Sequence, residues 1–486
     1  MMTALLCLST PNTLGQSAGS EKQPPNIVFI LIDDLGWNDV GCYGSDYYET
    51  PQIDRLADEG MRFTSAYAAS AVCSPTRAAL LTGKYPGRLR ITHAIPIQGN
   101  LRLEGPLPLI PADYVKNMPL EEVTIAEALK EAGYVTASIG KWHVCWDEAY
   151  YPEAQGFDVN IAGNNMGNPG TYFYPYKGSW RMTPNHPLIR WQLFTDGFEG
   201  EYLTDRLTDE AVRFIESNRD RPFFLYLSHY AVHTPIQAKD DLTQKYANKP
   251  KGEHHTNAEY AAMIDSVDQS VGRVLKKLDD LELTDNTIVI FYSDNGGHGK
   301  ITSAHPLRGN KGNFYEGGIR VPLIVRWPGE IKPGSACDTP VTSTDFYPTL
   351  LEALGLPLRE QQHLDGVSLL PLLTQSGAIE REALYWHFPN YIGKGHPDPA
   401  TPCSAIRMGD WKLIHFYEDN HSELFNLADD PRETRNLAEE FPGIAAKLRG
   451  KLSAWIKEVD AQMPTPNPEY KPAHDRPVAP DQQLSS

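Results

Sequence analysis

The sequence is short of positive charge. Its 44 lysine and arginine residues stand against 62 aspartate and glutamate residues, which gives the 486-residue chain a formal net charge of −18. This excess of negative charge repels nucleic-acid backbones and anionic membrane surfaces, so neither is expected as the main partner. An anionic substrate would need a pocket that is locally positive.

Long hydrophobic runs are also missing. The longest apolar segments, residues 26–32 and 287–292, are far shorter than the roughly 20 residues that cross a bilayer as a helix, so the chain is not expected to be integral to a membrane. Residues 1–24 contain one short apolar patch at 4–8 without the basic start of a typical export signal. They fit a clipped or weak export signal and a disordered terminus equally well.

Cysteine is scarce, with six residues spread along the chain. They show no paired spacing, and a chain that is 41% apolar can bury a core large enough to fold without disulfide bonds. Cysteine content therefore does not decide between an oxidising and a reducing compartment.

The sequence does contain a series of short, β-rich apolar runs separated by helical patterns. The runs lie at residues 26–32, 135–139, 223–227, 287–292 and 322–325. This alternation predicts a parallel α/β sheet with helices on both faces. One covering helix is expected to open with a capping box at Thr124 and Glu127 and to end at Gly133. Another carries an apolar stripe from Ile264 to Leu278.

The pattern changes near residue 380. Shorter strand-like segments at 383–388, 404–408, 411–417 and 423–427 precede an amphipathic helix at 444–459, and Gly409-Asp410 suits a two-residue hairpin turn. We therefore expect a catalytic unit at 25–379 and a smaller α+β subdomain, an antiparallel sheet plus a helix, at 380–462. The proline-rich segment 463–486 predicts a disordered tail.

Polar side chains follow four of the apolar runs. They are Asp33 and Asp34, then Lys141 and His143, then His229 and His233, and finally Asp294 and Asn295. Ligands bind beyond the carboxyl ends of parallel strands, so these residues are expected to meet at one edge of the sheet. Each alone fits a helix cap, a solvated lysine or a structural histidine, but their convergence is hard to explain that way.

Four of these residues, Asp33, Asp34, Asp294 and Asn295, offer only oxygen ligands. Hard oxygen donors select Ca²⁺ or Mg²⁺ over zinc. Three carboxylates buried together repel one another unless a cation neutralises them. We therefore favour a metal site over the alternative of two helix-capping turns without an ion.

The segment from Cys73 to Gly83 has the marks of a helix start. Ser74 suits the N-cap and Pro75 the first helical position, which predicts Cys73 at the positive end of a helix with Arg77 one turn further on. A group at Cys73 would face the helix dipole, backbone N–H groups and a guanidinium, a setting suited to an oxyanion. A reactive thiolate and a buried free cysteine stay open as alternatives.

The Cys-x-Pro-x-Arg motif at Cys73, followed by Leu81-Thr82-Gly83, resembles the signature of the type I, formylglycine-dependent sulfatases, in which that cysteine is oxidised to Cα-formylglycine. The resemblance extends over residues 26–459 and includes the segments 140–143, 293–296, 308–312, 315–322 and 424–437. It implies an alkaline-phosphatase-like fold, with a mostly parallel central sheet sandwiched by helices and a smaller C-terminal subdomain. The implied activity is hydrolysis of sulfate esters.

The resemblance also implies a metal site and its modification. The oxygen donors Asp33, Asp34, Asp294 and Asn295 match the family's Ca²⁺ ligands, and formylglycine at Cys73 completes the site. A hydrated aldehyde offers two hydroxyls on one carbon, one to attack sulfur and one to release sulfate later. The implied maturation partner is a formylglycine-generating enzyme or an anaerobic sulfatase-maturating enzyme.

The remaining implied roles concern charge and protons. Arg77 and Lys141 would hold the formylglycine and sulfate oxygens, and Lys311 the sulfate and the bridging oxygen. His143 matches the histidine that deprotonates the second hydroxyl, and His233 matches the histidine that protonates the leaving group. The nearby residue His229 lies outside the match and is expected to be structural.

The substrate is less defined by the sequence. An aromatic segment from Tyr172 to Trp191 could stack sugar rings or pack on itself, and His93, Arg308 and His387 are candidate substrate contacts. The general resemblance is to exported bacterial sulfatases of sulfated polysaccharides, which implies a periplasmic or secreted enzyme. Two alternatives stay open, a phosphonate or phosphate ester hydrolase and a sulfated-glycan-binding protein with unconverted Cys73.

Overall fold

The computed structural model describes residues 23–95, 107–181, 187–393 and 399–471. The predicted export signal or disordered terminus lies outside the described residues up to residue 22, as does the predicted tail beyond residue 471. The five cysteines in the described part of the chain are free. Among the described helices, none has the length and apolar character needed to cross a membrane.

Eighteen strands are described. In chain order they are β1 (Asn26–Ile32), β2 (Met61–Phe63), β3 (Ala66–Tyr67), β4 (Leu109–Ile110), β5 (Val135–Gly140), β6 (Val159–Ile161), β7 (Lys177–Trp180), β8 (Ile189–Gln192), β9 (Phe223–Ser228), β10 (Thr287–Ser293), β11 (Leu323–Arg326), β12 (Ser335–Cys337), β13 (Val341–Thr342), β14 (Leu384–Phe388), β15 (Cys403–Met408), β16 (Trp411–Phe416), β17 (Ser422–Asn426) and β18 (Thr465–Pro466).

Eleven α-helices are described. They are α1 (Pro51–Glu59), α2 (Cys73–Thr82), α3 (Pro86–Leu89), α4 (Ile125–Glu131), α5 (Leu203–Ser217), α6 (Asp240–Ala247), α7 (Ala258–Asp280), α8 (Glu316–Ile319), α9 (Phe346–Ala353), α10 (Leu370–Leu373) and α11 (Pro442–Glu458). Short 3-10 turns lie at Gly41–Tyr43, Glu148–Tyr150, Pro152–Gln155, Thr284–Asn286 and Ser343–Asp345.

The central sheet has eight strands in the order β12-β2-β11-β10-β1-β9-β5-β6. All five predicted apolar runs form strands of this sheet, and β10, β1, β9 and β5 are parallel as predicted, whereas β6, which pairs parallel with β5, was not predicted. The expectation of a parallel strand at 322–325 is wrong, because β11 pairs antiparallel with both β10 and β2. The segment between β10 and β11 does not cross to the other end of the sheet. Strand β11 therefore starts beside the end of β10 and runs in the opposite direction.

Helices cover both faces of the sheet. Successive residues of a strand point to opposite faces, and β1 divides its side chains accordingly. Val28 and Ile30 pack with residues of α5 and α7 in one core cluster, whereas Phe29 and Leu31 pack with residues of α2, α4 and α9 in another. The predicted capping box at the start of α4 is formed, and Gly133 just after α4 has a positive φ of 89°.

The C-terminal part forms a separate antiparallel sheet in the order β14-β15-β16-β17. One face is covered by α11 through Leu448, Leu452 and Trp455. The other face packs against the catalytic part around Tyr67 and Val72. The smaller sheet therefore presses on the segment just before α2.

The predicted disorder from residue 463 is wrong for the first part of the tail. The strand β18 pairs antiparallel with β4. Asn467 extends this contact, because its backbone N–H donates to the carbonyl of Pro108 and its amide group donates to the carbonyl of Leu107. Polar and proline-rich composition favoured disorder, but these backbone groups find partners on a distant segment.

Candidate active site

The four central strands end side by side, and the polar residues that follow them meet there. Strands β10, β1, β9 and β5 are neighbours, and they lead into the residues Asp294, Asp33, His229 and Lys141. Backbone hydrogen bonds join these turns, as the N–H of Asp33 donates to the carbonyl of Ala231 and the N–H of Asp294 to that of Ile32. The predicted convergence at one sheet edge is therefore present.

One glycine permits the turn that leaves β5. Gly140 has a φ of 103°, and a Cβ atom there would lie 1.9 Å from the carbonyl oxygen of Ser228. Glycine tolerates both the positive φ and the close approach. The backbone N–H of Lys141 then donates to the same carbonyl over 2.7 Å, which turns the Lys141 side chain toward β1.

The oxygen donors lie together and are almost completely buried. The backbone N–H of Asp34 donates to Asp294 Oδ1 over 3.2 Å, and Asn295 Nδ2 donates to Asp34 Oδ1 over 2.8 Å. Ligand atoms of Asp33, Cys73 and Asp294 lie within 4.8 Å of one another. The same holds for Asp34, Cys73 and His233.

These residues fit a divalent cation. Within the described part of the chain, the buried atoms Asp33 Oδ1 and Asn295 Oδ1 find no hydrogen-bond donor. Buried oxygens are normally bonded, so each has the capacity to bind a further positive group. Because carboxylate and amide oxygens are the ligands of Ca²⁺ and Mg²⁺, the donor set fits a hard cation of that kind.

The two neighbouring aspartates differ in protonation chemistry. Burial raises the pKa of Asp33 well above its usual range, and repulsion from Asp294 and Asp34 adds to this, while Lys141 opposes it. Burial acts in the same direction on Asp34, but the positive charge of Lys311 and further contributions from His233 and Lys141 outweigh it and hold its pKa below the usual range. The surrounding cations therefore compensate the carboxylate form of Asp33 less fully than that of Asp34.

Three cations surround the carboxylates. Lys141 Nζ lies 2.6 Å from Asp33 Oδ2, Arg77 Nε donates to Asp294 Oδ2 over 2.8 Å, and Lys311 Nζ lies 2.6 Å from Asp34 Oδ1. Burial lowers the pKa of Lys311, but attraction to Asp34 outweighs it and leaves the pKa above its usual range. Lys311 therefore stays charged at neutral pH.

Cys73 is the first residue of α2, so the helix begins two residues earlier than the sequence predicted. Val72 is the N-cap and makes no side-chain capping bond. Ser74, predicted as the N-cap, instead accepts a hydrogen bond at Oγ from the N–H of Ile95. Burial raises the pKa of the Cys73 thiol, although Lys141 and Lys311 lower it. This direction argues against the alternative of a reactive thiolate.

His143 is held so that one ring nitrogen is a base. Its Nε2 is hydrogen-bonded to the carbonyl of Ile95, and because a carbonyl only accepts, Nε2 carries the hydrogen. Nδ1 is buried and has no partner among the described residues. Burial, together with the charges of Lys141 and Arg77, lowers the pKa of the ring well below its usual range, so the ring is neutral.

His233 is oriented in the opposite sense. Its Nδ1 lies 2.8 Å from the carbonyl of Thr234, which leaves Nε2 directed toward Asp34 at 3.6 Å. Burial and the charge of Lys311 lower its pKa to about 3, against the opposing effect of Asp34. The side chains of His233 and Lys311 are 18% and 10% exposed, whereas those of Arg77 and Lys141 are sealed. The site thus opens at His233 and Lys311.

Three supporting residues were missed in the sequence. Ser228 Oγ accepts from Arg77 over 2.6 Å, and the Tyr172 hydroxyl donates to the carbonyl of His233 over 2.8 Å. Gly167 lies against the His143 ring, and a Cβ atom there would meet Cε1 at 2.5 Å. The clustering of Gly and Asn at 163–170 was a signal of close backbone approach that could have been used.

The structure gives the aromatic segment a packing role at its start. Tyr172 and Tyr176 are buried in the core beside α5, so these two rings are not offered to a sugar. The hairpin of β7 and β8 carries Trp180 and Trp191, which are half-buried. Residues 182–186 of the segment lie outside the described residues.

The three candidate substrate contacts are all engaged with protein groups. His93 is buried and lies 3.3 Å from the carbonyl of Tyr391. Arg308 donates to the carbonyl of Glu433 and to the Tyr315 hydroxyl. His387 uses both ring nitrogens, one with Ser404 Oγ and the other with the carbonyl of Gln462. Their predicted contact with substrate stays a prediction.

Fold and site together define a class of protein. A mostly parallel sheet ends in a buried set of oxygen ligands, and three cations and the start of a helix surround the same point. This arrangement is that of an alkaline-phosphatase-like hydrolase, which binds a tetrahedral oxyanion at the carboxyl edge of the sheet.

Comparisons with known proteins are specific. Residues 25–356 match the family model described as Sulfatase, and residues 309–459 match N-sulphoglucosamine sulphohydrolase, C-terminal. A sulfatase of Formosa agariphila is 36% identical, over 91% of this chain and 90% of its own length. Human N-acetylgalactosamine-6-sulfatase is 35% identical over 76% of this chain and 70% of its own length. N-acetylgalactosamine-6-O-sulfatase of Bacteroides thetaiotaomicron is 31% identical over 90% and 94%.

Solved structures agree with this assignment. The structure of Ps i-CgsB, also solved with k-i-k-neocarrahexaose, superimposes with a TM-score of 0.73 at 31% identity and covers 89% of this chain and 93% of its own. Phosphonate monoester hydrolase of Agrobacterium radiobacter, at a TM-score of 0.64, 19% identity and coverage of 91% and 99%, shows the shared fold alone. The chain belongs to the sulfatase family, and it is a sulfuric ester hydrolase.

Proposed function

We propose that this enzyme removes O-sulfate groups from a sulfated glycan, with 6-O-sulfated N-acetylgalactosamine as the first substrate to test. The single observation that carries the proposal is the set of three cations around Cys73, of which Lys311, together with His233, is exposed at the opening of the site among the described residues. A sulfate group can be enclosed there while its sugar stays outside. The names of the human and Bacteroides relatives supply the sugar and the position.

The metal in this proposal is Ca²⁺, with Mg²⁺ as the alternative. Asp33, Asp34, Asp294 and Asn295 would hold it, together with the modified side chain at Cys73. When bound, the ion would lower the pKa of an attacking hydroxyl and screen the charge of the incoming sulfate. The unpartnered oxygens of Asp33 and Asn295 support this assignment.

The nucleophile in this proposal is formylglycine made from Cys73 by a formylglycine-generating or anaerobic sulfatase-maturating enzyme. Its hydrate supplies one hydroxyl for attack on sulfur and a second for release of sulfate. Position supports the proposal, because Cys73 starts α2 and faces the dipole and free N–H groups of the helix. The raised pKa of the thiol also makes the unmodified cysteine a weak nucleophile.

The chain's own residues would divide the remaining work. His143 offers an unprotonated Nδ1 as the base for the second hydroxyl. Lys141 and Arg77, held on Asp33 and Asp294, would stabilise charge on the oxygens around sulfur. At the opening, Lys311 would contact the bridging oxygen of the departing sugar and His233 would protonate it.

The size of a polysaccharide substrate supports an exported enzyme. Sulfated polysaccharides are too large to enter a cell intact, so we propose a periplasmic or secreted location. Cell fractionation followed by immunodetection tests this directly, and enzyme found only in the cytoplasm would overturn it.

A substrate panel tests the proposed function. Mature enzyme, co-expressed with a maturation enzyme, is incubated with N-acetylgalactosamine 6-sulfate, its 4-sulfate isomer, an aryl sulfate, an aryl phosphate and an aryl phosphonate. Released sulfate or phosphorus product is measured by ion chromatography. We expect the highest kcat/KM on the 6-sulfate. Higher kcat/KM on the phosphonate would favour the phosphonate hydrolase alternative. Tight sugar binding without turnover, with Cys73 unconverted despite the co-expressed maturation enzyme, would favour the glycan-binding alternative.

A further inference from the structure

The smaller sheet buries a lysine against the catalytic part. Lys412 lies on β16 and is fully buried, and its Nζ is 2.8 Å from Glu316 Oε1 and 2.9 Å from Glu433 Oε1. Glu316 opens α8 in the catalytic part, whereas Glu433 follows β17. We call these three residues the Lys412 cluster. A buried charge is costly unless it is paired, so the cluster fixes the distance between the two parts.

Further bonds extend the Lys412 cluster. The Tyr67 hydroxyl donates to Glu316 Oε2 over 2.7 Å, and the backbone N–H of Glu316 donates to Glu433 Oε2 over 2.6 Å. Arg308 Nη1 donates to the carbonyl of Glu433 over 3.0 Å. The C-terminal part thus makes hydrogen bonds to Arg308 and Glu316, which lie on either side of Lys311 in the sequence and bound the loop that carries it.

The backbone of this loop is tightly packed between Lys311 and the two residues that contact the C-terminal part, Arg308 and Glu316. The N–H of Gly317 donates to the carbonyl of Arg308 over 2.8 Å, which closes the loop. A Cβ atom on Gly318 would lie 2.0 Å from the carbonyl oxygen of Asn313, so the loop is packed on itself. A displacement of Glu316 is therefore transmitted to Lys311 instead of being absorbed.

The inner side of the loop touches the reaction site. The N–H of Lys311 donates to the carbonyl of Gly297 over 3.0 Å, and the N–H of Gly312 donates to that of Ala71 over 2.9 Å. The Lys311 ammonium then reaches Asp34. The loop joins the Lys412 cluster on one side to the turn after Asn295 and the segment before Cys73 on the other.

We propose that Lys412 is a positioning residue for Lys311, acting through Glu316 and the loop from residue 308 to residue 318. The proposal rests on the proposed function, since it assigns Lys311 to the bridging oxygen of a sulfate ester. It predicts that the smaller sheet contributes to turnover without touching the reacting atoms.

The central test is a double-mutant cycle between Lys412→Met and Lys311→Ala. We expect Lys412→Met to lower kcat on a sugar sulfate by about 10- to 100-fold, the scale of a small misplacement of a catalytic group. The loss on an activated aryl sulfate should be smaller, because its leaving group needs little help. In the Lys311→Ala background the same change should have almost no further effect on kcat. Equal, additive losses in both backgrounds would overturn the proposal.

A matched control and a structural readout complete the test. Lys451→Met removes a half-exposed lysine that pairs with Glu382 in the same subdomain, and it should leave kcat unchanged. Hydrogen exchange of Lys412→Met should be faster at the amides of Lys311 and Gly312, which does not depend on activity. Unchanged exchange at these amides would overturn the proposal even if kcat fell.

The outcomes separate this proposal from the proposed function. If the mature wild-type enzyme hydrolyses no sulfate ester, the proposed function fails, while the exchange measurement still decides whether Lys412 holds the loop. If Lys412→Met folds poorly, Glu433→Gln keeps the shape of the cluster and weakens its charge. Glu433→Gln should lower kcat less than Lys412→Met does, and the loss should again be larger on the sugar sulfate than on the aryl sulfate. An equal loss on both substrates would count against the proposal.

Discussion

The catalytic edge and the Lys412 cluster both bury charges, but they differ in what is left over. At the catalytic edge, Asp33 Oδ1 and Asn295 Oδ1 have no donor in the described part of the chain, and the site opens at His233. In the Lys412 cluster, Glu433 Oε1 also accepts no hydrogen bond among the described residues, but it lies 2.9 Å from the Lys412 ammonium, which is placed between two carboxylates and is fully enclosed. A buried charge set with spare ligand capacity and an opening is suited to chemistry, whereas an enclosed set is suited to holding parts together.

The largest effect should come from changing Cys73. Cys73→Ser, produced without an enzyme that oxidises serine, keeps a polar side chain of similar size but offers a single hydroxyl instead of the aldehyde, so turnover should fall by about 10⁴- to 10⁶-fold, the scale of losing a nucleophile. A variant that adds the mass of one sulfate group after exposure to substrate would show that attack still occurs and release does not.

Two measurements make the Cys73 prediction specific. Mass spectrometry of the tryptic peptide from Phe63 to Arg77 should show the loss of sulfur and two hydrogens and the gain of one oxygen in active wild-type enzyme. Cys337→Ser, a change on the edge strand β12, is the matched control and should keep activity. An active preparation in which Cys73 is wholly unmodified would contradict the formylglycine assignment.

The next effect concerns the proposed oxygen ligands of the catalytic edge. Asp294→Asn keeps the shape of the side chain but removes the charge that pairs with Arg77. We expect loss of bound Ca²⁺ and a fall in kcat of about 10³-fold or more, since a metal contributes several kcal/mol to such a transition state. Elemental analysis of the purified proteins measures the metal directly.

Chelation and metal analysis test the assignment of Ca²⁺. Chelation of the wild-type enzyme should abolish activity, and added Ca²⁺ should restore it. Glu433→Gln, in the Lys412 cluster, is the control that should keep the metal content unchanged. Stoichiometric zinc in active enzyme would show that the oxygen ligands were assigned to the wrong ion.

A smaller and substrate-dependent effect is expected at the opening. His233→Ala should lower kcat by about 10²- to 10⁴-fold on a sugar sulfate, whose leaving oxygen needs a proton, and much less on an activated aryl sulfate. The two rates are compared with the same enzyme preparation. Because the pKa of His233 is only about 3 without substrate, Lys311 is the competing donor. Equal losses on both substrates would assign the proton to Lys311.

The smallest effect should come from the face of the smaller sheet, at His387. Burial lowers the pKa of His387 to about 4, so the folded protein keeps this ring neutral. As the pH falls from 6.5 to 4 the unfolded chain takes up a proton that the folded chain does not, and stability is lost by up to about 3 kcal/mol.

The variant His387→Gln should therefore flatten the loss of stability over this pH range, which denaturant titrations at pH 7 and pH 5 can measure. Its amide can replace the bonds to Ser404 and Gln462. An unchanged pH dependence combined with a raised KM would instead support the substrate contact predicted for His387 from the sequence.

The sequence was most informative where local pattern and chemistry agree. The apolar runs at β1, β5, β9 and β10 need burial on both faces, and the polar residues after them are fixed in place by chain continuity. The antiparallel direction of β11 was not readable, because a short apolar run looks the same in either direction. The pairing of β18 with β4 was missed for a similar reason, since its partner is remote in the sequence.

The sequence by itself predicted strands β1, β5, β9 and β10 of the central sheet, the polar residues that directly follow them, a helix beginning near Cys73, and the family. Each of these depends on residues close together in the chain, where spacing and side-chain type are sufficient. Only the tertiary structure showed three other contacts. Ser74 accepts a hydrogen bond from the N–H of Ile95 instead of capping the helix, Tyr172 donates to the carbonyl of His233, and Lys412 pairs with Glu316. These contacts join residues far apart in the chain, and burial of their polar groups has meaning only once the fold brings their partners within hydrogen-bonding distance.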